Sequence, residues 1–297
     1  MYSEKIPPKQ LWGWLTVAVA PVLIQYVSGN WAWVLLCATV GLAAVWIVGR
    51  HGKPTVLGSI ALLFVAGLLI KDSAQCWRGD NYPAVPLNLL GLAAWSAWKG
   101  PAAAARTGCV LFWAVLVIYT LVIVSGLGEI DFVNLLPEYQ ESDWRILLLV
   151  LVPAAAMPLQ NKKEKLSAKV VVPLILAFTA SLTVAGVMSP SLAGELDQPF
   201  YEMSRSLDLF GIAKRFEAVI SAAATVGWFS LMSLALSLPV SMVKQGQKAV
   251  VLGGTFAIAA IMLVNLHISG AIVLIIGAVC WVIMPLLAQG IEISKKS

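Results

Sequence analysis

The chain has 297 residues, 60% of them hydrophobic and only 12% charged, with a formal net charge of +5. Soluble domains carry about 25% charged residues, so this composition excludes an ordinary soluble globular protein. It also removes the usual reading of a basic chain as a nucleic-acid binder, because the positive charge is confined to the gaps between apolar stretches. Four cysteines without a Cys-x-x-Cys spacing, and only His51 and His267 besides, give no reason to expect a metal site, a disulfide framework or a cofactor.

Ten apolar stretches follow one another, at 10–28, 31–49, 55–71, 84–98, 107–127, 144–160, 168–188, 216–240, 247–265 and 269–289. About 20 apolar residues cross a hydrocarbon core as a helix; the fourth stretch is the shortest. The pattern predicts an all-α integral membrane protein of ten transmembrane helices in one polytopic domain, 1–297. Ala18-Val19-Ala20 has the small residues of a cleavage site, but Pro21 follows and the apolar run continues, so a retained first helix is expected.

The basic residues give the orientation. Alternate gaps hold Lys5, Lys9, Arg50, Lys53, Lys99, Arg106, four lysines at 162–169, Lys244, Lys248, Lys295 and Lys296, which are 14 of the 20. The other gaps hold Lys71, Arg78, Arg145, Arg205, Lys214 and Arg215. Lys and Arg in short loops stay on the cytoplasmic side, so both termini are expected there, with a preference for anionic membrane lipid at that face.

No stretch carries an acidic or basic residue near its middle. Buried ionisable groups mark proton relays and intramembrane catalysis, so neither an enzyme nor a carboxylate-driven pump is expected. A small neutral or zwitterionic ligand remains compatible, since backbone groups can hold it.

Ten spans divide into five plus five, about 10–127 and 144–289, and a repeat with an odd number of crossings must be inverted. Pro21 in the first span and Pro153 in the sixth occupy matching places. Proline removes an amide donor and frees a carbonyl, and inverted-repeat transporters bind substrate where their first and sixth helices are broken. That reading makes Thr16, Pro21, Gln25, Tyr26, Ser59, Pro153, Ala154, Ala155, Ser221, Thr225 and Trp228 the candidate lining of a mid-membrane site. The plain alternative is helix packing through small and hydroxyl residues, with proline as a simple kink.

The polar stretch 189–215 is expected on the outer side, either with its apolar flank on the mouth of the bundle or as an ordinary interfacial helix with a solvated charged edge. Within it Glu202 and Arg205, three apart, share a helix side and can pair, while Met203, Leu207 and Phe210 form an apolar flank. Pro199, Glu202, Arg205 and Leu207, followed by Arg215, Glu217 and Trp228, resemble the signature of the spore-germination receptor B-subunit family, within the amino-acid/polyamine/organocation permease superfamily. Gly29 and Trp33 in Ser28-Gly29-Asn30-Trp31-Ala32-Trp33, Leu135-Leu136-Pro137, and the opening Ile6-Pro7-Pro8-Lys9-Gln10-Leu11 are similar to further short motifs of that family. The resemblance implies a LeuT-type fold in the spore inner membrane, an external lid at 189–215, germinant-receptor A and C subunits as partners, and an amino-acid-like germinant as ligand. The loop Arg50–Pro54 is shorter than the family's, and the first span has Val17-Ala18-Val19-Ala20-Pro21 in place of its Gly-rich break. A secondary transporter and a scaffold subunit that binds no small molecule are the competing readings.

Overall fold

A computed structural model describes residues 6–52, 55–74, 84–135, 142–160, 171–207, 217–243, 245–264 and 268–294. The protein is all-α. Its helices are α1 (Pro8–Gln25), α2 (Trp31–His51), α3 (Val56–Ala74), α4 (Ala84–Trp98), α5 (Pro101–Gly126), α6 (Trp144–Ala156) and α7 (Val172–Met188). Two short helices, α8 (Pro190–Glu195) and α9 (Pro199–Ser206), precede α10 (Glu217–Met242), α11 (Gln247–Leu263), α12 (Gly270–Ala278) and α13 (Met284–Ser294). A π turn, Val279–Ile283, joins α12 to α13 in one continuous helix. Five segments are long and apolar enough to cross a membrane: Trp31–His51, Val56–Ser73, Pro101–Glu129, Glu217–Met242 and Gly270–Gln289. Trp144–Ala156, Val172–Met188 and Gln247–Leu263 are shorter apolar helices.

The starts of these helices are written locally. Proline stands in the first two positions of α1, α5, α7, α8 and α9, where its missing N–H leaves no intrahelical bond unmade. Asn30 caps α2 by accepting from the Trp33 N–H at 3.1 Å, and Asp143 caps α6 by accepting from the Arg145 N–H at 2.8 Å. Gly100, at φ 98°, makes the turn from α4 into α5, a conformation that suits glycine. As a result α5 begins at Pro101, six residues before the apolar run suggests.

Burial separates the helices into two groups. Every residue of α1 from Leu11 to Ile24 is buried, and so is every residue of α6 from Leu148 to Ala156. A helix apolar all round and enclosed all round belongs at the centre. By contrast α5 exposes Val110, Trp113, Val117 and Val124, and α12 exposes Ile272 and Ile275. Those residues form the apolar outer surface that a bilayer would cover.

Both proline helices differ from expectation. α1 continues through Pro21 for a further turn to Gln25, without a break. The Pro21 ring sits on Gly227 of α10, and the Val17 carbonyl that proline frees also faces Gly227. Close helix packing covers the defect, so the backbone has no need to unwind. In α6 Pro153 lies in the last turn; the helix ends at Ala156 and tightens into a 3-10 turn, Met157–Leu159, rather than reaching residue 160. Neither helix is therefore divided into half-helices at its centre.

Contacts along the seams give relative directions. α1 and α5 run the same way: Gly13 lies against Cys109, and Gln25 shares a cavity wall with Tyr119. α2 and α6 also run together, with Trp33 at Asp143, Gly41 at Val150 and Gly49 at Met157. So do α3 and α11, where Leu63 meets Gly254, Gly67 meets Ile261, and Lys71 Nζ donates to the Val264 carbonyl at 2.9 Å. α6 and α12 are parallel, through Trp144 with Gly270 and Leu148 with Gly277. α3 and α10 are antiparallel: Ser59, in the first turn of α3, donates to Met242 Sδ, the last residue of α10, at 3.2 Å.

Candidate functional site between α1, α6 and α10

The two central helices are tied together at both ends. At one end Arg145, in the first turn of α6, pairs with Asp72 of α3 and with Asp143 at 3.0 Å. Its guanidinium lies 4.7 Å from the centre of the Tyr26 ring, just after α1, and the Tyr26 hydroxyl donates to the Leu69 carbonyl at 3.4 Å. One arginine thus joins α1, α3 and α6, using the planar fork that lysine lacks. At the other end the Ile6 N–H donates to the Leu159 carbonyl at 3.1 Å, forming an isolated bridge with Gln160. Ile6 is fully buried there.

Between these ties the α1–α10 seam is closely packed. Trp228, fully buried, donates its indole N–H to Gln25 Oε1 at 3.1 Å. Pro21 touches Gly227, and Thr16, also buried, turns its hydroxyl back to the Trp12 carbonyl at 2.8 Å. Two small cavities flank this seam. The one nearer Arg145 has a volume of about 30 Å³ and is lined by Gln25, Tyr119, Phe200, Tyr201 and Ser221 among others. The other, nearer Ile6, has about 10 Å³ between Thr55, Gly58, Ala154, Ala155, Met242 and Trp281. A water needs about 10–15 Å³ of this kind of volume. The first is large enough for a water and the second barely so; neither admits an amino acid in this conformation.

The candidate residues are therefore spread over four places. Thr16, Pro21, Gln25 and Trp228 form the seam, and Gln25 with Ser221 reaches the larger of the two cavities. Tyr26 belongs to the Arg145 tie. Ala154 and Ala155 line the smaller cavity, while Ser59 lies beside it, bonded to Met242, and Pro153 is buried within α6. Thr225 faces away, into a groove shared with α4 and α5. Sequence reading missed Gly227, Tyr119, Phe200 and Asp72. A glycine or an aromatic on an apolar helix carries no sign of its partner, although Asp72 and Arg145 stand as opposite charges at neighbouring helix ends.

The segment before α10 forms the short helices α8 and α9. α9 buries Phe200 and Met203, and the Phe200 ring packs 5.8 Å from that of Tyr119. Leu207 is buried as well. Glu202 and Arg205 pair at 3.8 Å, with their side chains 40% and 65% exposed. Pro199 is buried at the start of α9, and Glu217 opens α10. Trp33 donates its indole N–H to the Asp143 carbonyl at 3.1 Å, and Gly29 lies in the turn before α2. Pro137, Arg215 and Phe210 lie outside the described residues.

No protein-family model matches this sequence, and no curated protein matches it.

Proposed function

We propose that the chain crosses the membrane ten times as an inverted repeat of five helices, with cytoplasmic termini, and is the ligand-sensing membrane subunit of a germinant receptor. One observation carries the architecture. When helices α1 to α5 are exchanged with α6, α7, α10, α11 and α12, most of the packing pattern maps onto itself, while α10–α11 and α4–α5 have no counterpart of similar extent among the described residues. The α1–α5 pair becomes α6–α12, α2–α6 becomes α7–α1, α3–α11 becomes α10–α4, and α5–α10 becomes α12–α3. The pairs α1–α6, α2–α7, α3–α10 and α4–α11 each map onto themselves. The parallel pair α1–α5 becomes the parallel pair α6–α12. α1 and α6 themselves run antiparallel, Tyr26 meeting Arg145 at one end and Ile6 meeting Leu159 at the other, the relation expected of two copies of one unit inserted in opposite senses.

The receptor part rests on the lid. α9 carries the germination-like residues Pro199, Glu202, Arg205 and Leu207, covers the larger of the two seam cavities, and turns its charged edge outward where a partner subunit could meet it. Gln25, Tyr119, Tyr201 and Ser221 offer neutral polar groups suited to a zwitterion. Lifting α9 is required before such a ligand fits. A scaffold role is the second reading, favoured by the unbroken α1, which presents no free half-helix end.

The test is a thermal-shift screen of the detergent-purified protein against amino acids, nucleosides and sugars, alongside liposome flux. A ligand at 100 times its Kd stabilises the fold by about 2.7 kcal/mol. A saturable shift with one class, lost in Ser221→Trp and kept in Ala154→Trp, without flux, supports the sensing subunit and its site under α9. Flux makes the protein a transporter instead; no shift and no flux leaves the scaffold.

A further inference from the structure

We infer that the groove between α4, α5 and α10 holds an anionic phospholipid, its phosphate at Lys99 and an acyl chain along Leu92, Trp95 and Phe229. This groove, of about 530 Å³, is far larger than either seam cavity. It opens sideways on the apolar surface, where Trp95 is 69% exposed and Leu92 59% exposed. Its lining is graded: Leu89, Leu92 and Leu111 are apolar, and Thr225 turns its hydroxyl back to the Ser221 carbonyl at 2.8 Å, whereas Ser96, Lys99 and Thr107 gather hydroxyls and an ammonium group where α4 turns into α5. The gradient follows that of a lipid, headgroup to tail.

Charge selects among lipids. Lys99 Nζ lies 5.4 Å from the centre of the Trp95 ring, and Lys248 Nζ lies 5.3 Å from that of Trp98. Arg106 follows one turn into α5, exposed. Three cations therefore cluster at this end of α4, and no Asp or Glu occurs anywhere in 84–128 or 218–291. The helices that form the site supply no carboxylate to neutralise them, apart from Glu217 at the far end of α10. A lipid phosphate supplies that charge, and basic pockets between transmembrane helices take anionic headgroups. The tryptophans hold the ammonium groups at the level where indoles and phosphates meet. Because α1 and α5 run the same way, this end lies on the side of the α1 N-terminus.

The experiment is native mass spectrometry of the full chain, released from detergent with phosphatidylglycerol or phosphatidylcholine. The wild type should retain phosphatidylglycerol in preference. Lys99→Gln and Lys248→Gln should each weaken retention about fivefold, from the usual contribution of a basic residue at an anionic surface. Ala103→Phe should fill the groove and remove both lipids, while Lys9→Gln, on α1, should change nothing. Equal retention of the two lipids, or undiminished phosphatidylglycerol binding in the Lys99→Gln/Lys248→Gln double variant, would overturn the inference. A diazirine-tailed phosphatidylglycerol irradiated with wild-type protein gives a check that needs no variant. Label concentrated on α4 and α10 peptides supports the site, and label spread evenly over the exposed helices rejects it.

Discussion

The Pro21 ring of α1 rests on Gly227 of α10, and a Cβ at residue 227 would stand 2.7 Å from Pro21 Cβ. No side chain fits there without moving one of the two helices. Gly227→Ala should therefore destabilise the protein by about 1–3 kcal/mol, the usual cost of overpacking a filled core. Pro21→Gly removes the ring together with that Cβ and restores an amide to the Val17 carbonyl, so Gly227→Ala should cost less in the Pro21→Gly background than in the wild type. Thermal unfolding of the two single variants and the double variant measures the coupling. Additive losses would mean that the contact does not hold the seam.

Arg145 makes a second prediction, since one guanidinium serves Asp72, Asp143 and the Tyr26 ring. The groups are part-exposed, with side-chain accessibilities of 32% for arginine and 40% for Asp72, so the pairs contribute modestly. Arg145→Met should cost about 1–2 kcal/mol in total, adding the ion pairs to the cation–π contact. Arg145→Lys should recover less than half, because an ammonium cannot present parallel donors to two carboxylates. Unfolding midpoints at low and high salt check this: the wild-type advantage should shrink as salt rises.

Much of this fold is legible from the chain alone, for a physical reason. In a bilayer the helix is the economical way to satisfy the backbone, so apolar runs mark helical segments without regard to packing, and five of these segments are long and apolar enough to cross a membrane. Helix starts at Asn30, Asp143 and Pro199 are equally local. What Pro21 does is not local. Whether a proline opens a helix depends on what covers the freed carbonyl, and here that is Gly227 on a distant segment. The same limit scattered the candidate site. Ser221 and Thr225 are one turn apart on α10, yet one lines the cavity under α9 and the other the groove beside α4 and α5. Depth in a span can be counted along the sequence; the side it faces in a bundle apolar all round cannot.

Trp228 and Gln25 offer a third test. The indole donates to Gln25 Oε1 at 3.1 Å from full burial. Trp228→Phe keeps most of the ring and removes the donor to Gln25, which is half-buried and lines the cavity, so the cost should be about 0.5–1.5 kcal/mol, the net worth of one hydrogen bond. Gln25→Met should cost more, about 1–3 kcal/mol, because it strands the indole N–H of a fully buried residue. The double variant, with both polar groups gone, should be more stable than the sum of the single losses predicts. A denaturation cycle in detergent reads the coupling, and a value near zero would remove the hydrogen bond from the list of interactions closing the seam.

Glu202 and Arg205 call for the opposite outcome. Their pair is 3.8 Å long and its side chains face solvent, in contrast with Phe200 and Met203 on the buried side of α9. An exposed pair three residues apart contributes about 0.3–0.5 kcal/mol at most, so Arg205→Ala should leave the unfolding temperature almost unchanged. Phe200→Ala, which empties the contact with Tyr119, should lower stability by about 3–5 kcal/mol if the lid remains docked in the resting protein. Under the proposed receptor role, Arg205→Ala should weaken partner assembly or germinant response at normal protein abundance. Pull-down from membranes and a germination assay separate the cases. Full assembly and full response in Arg205→Ala would make the charged edge of α9 an ordinary solvated surface and leave the lid's apolar face as its only functional side.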